Sequence, residues 1–415
     1  MQTSAPNHAS RLAATLAGIA APCIAFGKVA IAAPLLVAAP LLLTLPGRRG
    51  YWRALGEQAR SPLGVMVLIM LALWLPNVVA SIMPVRSLEA WARVPVFIAF
   101  ATLLWAMLAE REDMLTLSLK ALVTAAAVTT IFAIMSLTVL PTEALSLLRY
   151  KGWNPNTVRA TSVFKEYASM AILLAPVLLW GGRRLGGRWW TVAAVTAVGL
   201  LVVIWLTAAR AAMAGLLMMA FGGGIIVMAT CRKLALNLAV GAVLIVVTLA
   251  LLAWLHHSRG EFVPPEGVVV VLPSWLLDYQ RQTIWAHAIE IAMKSPWIGN
   301  GINVINLLPM AQVKIPTNVL HVIPSHPHNW LLEVFAETGV FGAAALVAVV
   351  VGLNTKLVRD YLRHRDPVLL VALLVNIGYW GSGLLNFSFW SAWWQLSYLL
   401  MSAIALAGRS PLANH

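Results

Sequence analysis

The sequence has few charged residues and almost no cysteine, and both shortages narrow the class of protein. Of its 415 residues only 11% are charged, whereas 60% are hydrophobic and the mean hydropathy is +0.83. So few charges exclude the surface of a soluble globular protein and are typical of a polytopic membrane protein. The two cysteines, Cys23 and Cys231, have no spacing that indicates a metal site or a disulfide framework.

Metal-binding motifs and internal repeats are also missing. The chain contains no HExxH and no DxD sequence, which argues against metal-dependent catalysis. We find no internal repeat, although many secondary transporters are built from two related halves. The only clear ionisable residue in the middle of a predicted span is Lys120. These absences favour an enzyme at one membrane face over a transporter.

Long apolar runs fill the chain instead. A membrane-spanning helix needs about 20 mostly apolar residues, and on this rule we predict twelve spans. They cover approximately residues 12–27, 29–46, 62–82, 91–109, 115–140, 168–182, 189–208, 211–230, 234–255, 329–354, 367–386 and 389–408. The predicted fold is an all-α polytopic membrane protein, with residues 1–415 forming a single integral membrane domain.

The formal net charge of +14 is unevenly divided among the predicted loops. The positive-inside rule assigns the most basic loops, and with them both termini, to the cytoplasm. The cytoplasmic cations are then Arg48, Arg49, Arg53, Arg60, Arg111, Arg183, Arg184, Arg188, Arg232, Lys233, Lys356, Arg359, Arg363 and Arg365. Residues 256–325 become a large loop with short helices on the opposite side, between spans 9 and 10. Loops of this length are usually functional.

Nine further cations lie on the non-cytoplasmic side in this orientation. They are Arg149, Lys151, Arg159, Lys165, Arg210, Arg259, Arg281, Lys294 and Lys314. Arg210, in "LTAARAAMAG", lies between two apolar spans, where a cation needs an anion or water; snorkelling to lipid headgroups explains it equally well. Arg281 opens a predicted loop helix around Thr283 to Lys294, and its alternatives are a solvated helix face or a pair with Asp278.

A histidine-rich segment, "SHPHNWLLE", precedes the tenth predicted span. Pro327 suits the first position of a helix, which places His328 and Asn329 in the first turn. There, free backbone N–H groups favour an anion and the positive helix end favours a neutral histidine, the form that a general base needs. Two alternatives remain: metal binding by His321, His326 and His328, and simple capping of the helix end by a histidine.

Carboxylates and tryptophans accompany the last three spans. Glu333 and Glu337 lie one helical turn apart and need partners, for which we expect an arginine of the non-cytoplasmic side; a proton relay in a transporter is the rival interpretation. Four tryptophans flank the last outer turn, and we interpret them as an aromatic belt at the membrane interface. They are Trp380, Trp390, Trp393 and Trp394.

Taken together, these segments resemble the O-antigen ligase family of bacterial inner-membrane glycosyltransferases. The likeness rests on "SHPHNWLLEVFAETGVFG", on the arginine in "TAARAAMAG" and on "RQTIWAHAIEIAMKSPWIGNGI", and it extends over about residues 155 to 345. One upstream segment, "RATSVFKEYA", departs from the family pattern, since Ser162 replaces a glycine and Lys165-Glu166 replace the asparagine region.

The resemblance implies a type C glycosyltransferase-like fold and an active site on the periplasmic face of the bacterial inner membrane. It implies transfer of O-antigen polysaccharide from undecaprenyl diphosphate to a sugar hydroxyl of lipid A-core, by inversion and without metal, cofactor or nucleic acid. His328 would be the catalytic residue; Arg210, Arg281, Arg159 and His326 would bind substrate. An O-antigen polymerase, a protein O-oligosaccharyltransferase and a lipid-linked glycan transporter are the alternatives.

Overall fold

The computed structural model describes the chain in seven segments. These are residues 8–45, 48–140, 160–231, 233–259, 270–314, 321–385 and 387–409. Within them the protein is helical and contains no β-strand; two residues, Lys314 and His321, form an isolated antiparallel bridge. The predicted all-α fold class is therefore confirmed for the described residues.

Fifteen α-helices are present in the described part of the chain. They are α1 (His8–Ala20), α2 (Ala32–Thr44), α3 (Arg48–Arg60), α4 (Pro62–Ala80), α5 (Pro84–Glu110), α6 (Glu112–Thr138), α7 (Ala160–Val163), α8 (Lys165–Leu185), α9 (Arg188–Thr207), α10 (Arg210–Thr230), α11 (Leu234–Arg259), α12 (Tyr279–Ala292), α13 (Trp330–His364), α14 (Pro367–Ser382) and α15 (Ala392–Ala407). Sequence signals mark two of these starts: Ser61 and Asp366 each cap a helix that opens with proline.

Eight of the described helices are long and apolar enough to cross a membrane, which supports the prediction of a membrane protein. They are α4, α5, α6, α8, α9, α10, α11 and α13. Three shorter apolar helices, α2, α14 and α15, and the 13-residue α1 lie at the other four predicted positions. The count of twelve spans, and the side on which each loop lies, stay predictions.

The helices pack around α8, whose side chains are buried along most of its length. It contacts α6, α9, α10, α14 and α15, whereas α13 packs mainly on α4, α14 and the loop helix α12. In contrast, α11 packs on α10 alone among the stronger helix contacts. The loop helix α12 is thus held against the start of α13, which brings the two predicted site segments together.

The predicted aromatic belt is wrong. Trp390, Trp393 and Trp394 are at most 6% exposed and lie in the packed interior, where Trp390 stacks edge-on against Trp74. The indole of Trp380 donates its N–H to Asn376 at 2.9 Å. These rings are core residues because they fill the space where α13, α14 and α15 meet, and not because they anchor the protein to lipid headgroups.

Candidate active site

The histidine segment lies immediately before α13, but the helix begins later than the sequence predicts. Asn329 is the N-cap: its side-chain oxygen accepts the N–H groups of Leu331 and Leu332 at 3.0 and 3.2 Å. The N–H of Trp330 donates to the carbonyl of Gly383, and that of Glu333 to the carbonyl of Asn329. The prediction that this helix end offers free N–H groups to an anion is therefore wrong, because all four first-turn donors have partners within the protein.

His328 lies one residue before the cap, outside the first turn, in a left-handed conformation with φ +58°. Such backbone is uncommon for a non-glycine residue and, in a well-packed protein, accumulates at functional sites. Its N–H donates to Nδ1 of His326 at 3.1 Å, and the two imidazole centroids are 4.1 Å apart. The two histidines are thus in direct contact, and the hydrogen bond between them stabilises the conformation of this loop.

The hydrogen bond from the His328 N–H requires that Nδ1 of His326 is unprotonated. Burial, followed by the nearby charges of His328, Lys28 and Arg281, lowers the pKa of His326 to about 3. Because Nδ1 accepts a hydrogen bond from a backbone N–H, a neutral ring carries its proton on Nε2. His326 therefore stays uncharged at physiological pH and orients the loop.

The two predicted donor-binding arginines meet on one carboxylate. Asp278 Oδ2 lies 3.1 Å from Arg281 Nη1 and 3.5 Å from Arg210 Nη1. Arg210 opens α10 directly after a helix break at Ala208, whose φ is +47°. Burial lowers the pKa of Arg281, Asp278 raises it, and Arg210 lowers it again, which is the electrostatic effect of a second guanidinium nearby. The pair with Asp278 considered for Arg281 is present, and it includes Arg210 as well.

The loop helix α12 joins the arginines to the histidines. Trp285 lies one helical turn after Arg281, so both side chains emerge on the same face. Its indole N–H donates to the carbonyl of Pro327 at 3.0 Å. This hydrogen bond fixes the peptide between the two histidines relative to the arginine cluster, and the effect of Arg281 on the pKa of His326 agrees with that proximity.

The carboxylates of α13 have backbone and indole partners, so the expectation of an arginine partner is wrong. Glu337 accepts the N–H groups of Asn303, Val304 and Ile305 at 2.8, 2.9 and 2.9 Å, and also the indole N–H of Trp390. Glu333 accepts the Ser388 hydroxyl and the Phe389 N–H, both at 2.6 Å. Both side chains are buried, and they connect α13 to the two loops that pack beside it.

The glycines of "SPWIGNGI" and "ETGVFG" allow this loop to lie directly on α13. Gly339 interrupts the helix with φ +68°, and a Cβ atom there would lie 2.3 Å from the carbonyl oxygen of Trp297. A Cβ atom on Gly299, which has φ +78°, would lie 2.3 Å from the Glu337 backbone. Both positions therefore require glycine. Near this interruption of the helix, the Glu337 carbonyl accepts the N–H of Gly301, 3.0 Å away.

The remaining predicted candidates are Arg159 and His321. Arg159 lies outside the described residues. His321 places Nδ1 2.6 Å from the carbonyl of Gln312, in the isolated bridge. Among the described residues, no group of three or more histidine, cysteine, aspartate or glutamate side chains is arranged to hold a metal ion.

This part of the chain is similar to known proteins. The family model described as O-antigen ligase matches residues 195–347, which include Arg210, Arg281, His326 and His328. The resemblance to O-antigen ligases is confirmed. Two curated relatives, each named a "putative polysaccharide ligase", come from Rickettsia prowazekii and Rickettsia typhi. They are 26% identical over 125 residues and 30% identical over 83 residues.

These alignments are short. They cover 28% and 19% of this chain, and 29% and 18% of the relatives' own lengths. The O-antigen ligase match begins after Arg159, so it adds nothing to that assignment. It does enclose Asp278, which the sequence offers only as an alternative partner of Arg281, and Trp285, to which the sequence assigns no role. A negative residue three positions before Arg281 was the available signal for the first; nothing local indicated that Trp285 would contact Pro327.

Proposed function

We propose that the chain is a glycosyltransferase of the bacterial inner membrane that transfers O-antigen polysaccharide from undecaprenyl diphosphate to a sugar hydroxyl of lipid A-core. Its termini would lie in the cytoplasm and its active site on the periplasmic side. The observation that carries the proposal is the position of α12. At its start Asp278 contacts Arg210 and Arg281, and one turn later Trp285 binds the carbonyl of Pro327 in the loop of His328.

The arginines suit the donor. A diphosphate is a good leaving group that needs positive charge where its own charge develops, and a guanidinium can bind two phosphate oxygens at once. The side chain of Arg210 is 49% exposed and that of Arg281 is 20% exposed, so both are accessible to a ligand.

His328 suits the acceptor. A sugar hydroxyl is a poor nucleophile until a base accepts its proton, and an imidazole within hydrogen-bond reach can do so. The oxygen then attacks the anomeric carbon as the bond to the diphosphate breaks. The proton passes to His328, the electron pair of the broken bond leaves with the diphosphate, and the anomeric configuration inverts.

The first test is transfer in membranes supplied with purified donor and acceptor. His328→Ala should lose at least about a hundredfold in rate, the usual contribution of a general base. A variant that keeps near-normal transfer would remove His328 from the mechanism. Loss of the gene should leave rough lipopolysaccharide core and full-length lipid-linked O-antigen; core bearing one repeat would indicate a polymerase instead.

The second test separates geometry from charge. Arg210→Lys and Arg281→Lys keep the positive charge but lose the planar fork, so both should lose most of their activity. Arg53→Lys, an exposed position on α3, is the matched control and should retain wild-type activity. Wild-type rates in the two site variants would count against bidentate phosphate binding.

A further inference from the structure

Asp278 makes separate contacts with its two carboxylate oxygens. Oδ1 accepts the backbone N–H of Arg281 at 3.0 Å and caps α12. Oδ2 contacts Nη1 of Arg281 and Nη1 of Arg210, at 3.1 and 3.5 Å. Helix capping requires only the first oxygen. The second oxygen brings together two cations that lie 71 positions apart in the chain.

Oδ2 of Asp278 contacts the same guanidinium groups that would bind a phosphate oxygen. Guanidinium groups recognise carboxylate and phosphate oxygens with the same N–H donors. The Asp278 side chain is 27% exposed and the cluster has two positive charges for one negative charge, so it is open to a ligand and retains a surplus of positive charge. A diphosphate that bound both arginines would therefore compete with Oδ2 and would experience repulsion from the carboxylate.

We propose that Asp278 is a positioning residue that exchanges with the substrate diphosphate between Arg210 and Arg281. Before binding, its carboxylate holds the two guanidinium groups at a common point. After glycosyl transfer, it competes with undecaprenyl diphosphate for the same N–H donors and promotes release of this product. The inference rests on the proposed function, because it requires that the arginines bind a diphosphate.

The test is product binding to the purified full-length chain in detergent, followed by tryptophan fluorescence with undecaprenyl diphosphate as the probe. Asp278→Asn keeps a side-chain oxygen for the helix cap and removes the negative charge. We expect about three- to tenfold tighter binding, the effect of removing one nearby charge at a partly exposed site. Multiple-turnover kcat should fall while the single-turnover rate is kept, because product release becomes slower.

Matched variants keep the interpretation unambiguous. Glu290→Gln removes a negative charge from an exposed position on the same helix and should leave binding and kcat unchanged. Asp278→Ala removes the cap as well, so a loss of thermal stability in this variant alone assigns that effect to capping. Unchanged or weaker product binding in Asp278→Asn would overturn the inference.

The arginine variants distinguish its failure from failure of the proposed function. If Arg210→Lys and Arg281→Lys weaken the binding of undecaprenyl diphosphate while Asp278→Asn binds like the wild type, the arginines bind diphosphate but Asp278 does not exchange with it. If neither arginine variant changes binding, the proposed donor site itself is wrong, and the role of Asp278 is wrong with it.

Discussion

Replacing Glu337 with glutamine should destabilise the protein far more than the same replacement at Glu333. Four groups donate to Glu337, and none of them can accept a hydrogen bond: three backbone N–H groups and the indole N–H of Trp390. Two donate to each carboxylate oxygen. A glutamine NH₂ group on either side would therefore face two donors and leave them unpaired in a buried site.

The expected cost follows from that count. An unpaired buried donor costs about 1–3 kcal/mol, so two of them cost about 2–6 kcal/mol. At Glu333 one donor is the Ser388 hydroxyl, which also has acceptor lone pairs. A glutamine can keep its oxygen toward the Phe389 N–H and turn its NH₂ toward Ser388, so Glu333→Gln should cost only about 1 kcal/mol.

The assay is thermal unfolding of both purified variants in one detergent, followed by intrinsic tryptophan fluorescence. Glu337→Gln should show a clearly lower apparent Tm and lower yield than Glu333→Gln, which should remain close to the wild type. Equal behaviour of the two variants would refute the reasoning, since the same replacement is made at both positions and the number of donors that cannot accept a hydrogen bond differs.

Two predictions concern the histidine loop. Trp285→Phe removes the hydrogen bond to Pro327, which is worth about 1 kcal/mol. Because His328 is then misplaced, kcat should fall about tenfold, with little change in apparent Tm. A variant with full kcat would contradict this prediction. The pKa of His326 is about 3 in the folded protein and 6.5 for an unperturbed ring. Between these two values the unfolded chain binds more protons than the folded protein. The folded protein therefore loses stability as pH falls through that range. His326→Asn keeps an acceptor for the His328 N–H and should show a flatter dependence of apparent Tm on pH; an identical slope would rule out His326 as the cause.

The helices and the site residues were predictable from the sequence to different degrees. Hydropathy located helices at all twelve predicted positions, because burial in lipid or protein imposes long apolar runs that can be read locally. The sequence predicts the start of α13 three residues too early, because Pro327 suits the first position of a helix and the helix begins at Trp330. The Asn329 side chain caps the helix instead, so His328 precedes the helix and has a left-handed conformation.

The interiors of the last three helices were harder to predict. Four tryptophans near the turn between the last two predicted spans have the composition of an aromatic belt, yet Trp390 is 2% exposed and donates to Glu337. For Glu333 and Glu337 the sequence predicts an arginine partner, because a buried carboxylate is stabilised by an opposite charge. Backbone N–H groups of residues 303–305 do this instead, and no local pattern marks a backbone group as a future partner.

By itself the sequence determined that this is a helical membrane protein with basic and histidine-bearing candidate site segments, since composition, apolar runs and short motifs are properties of neighbouring residues. Only the tertiary structure decided that Asp278 joins Arg210 to Arg281 and that Trp285 ties them to the histidine loop. Trp285 and Pro327 are 42 positions apart, and Arg210 and Asp278 are 68 positions apart. The packing of α12 against α13, and not the local chain, places Trp285 within hydrogen-bond distance of Pro327 and holds Asp278 at the start of α12.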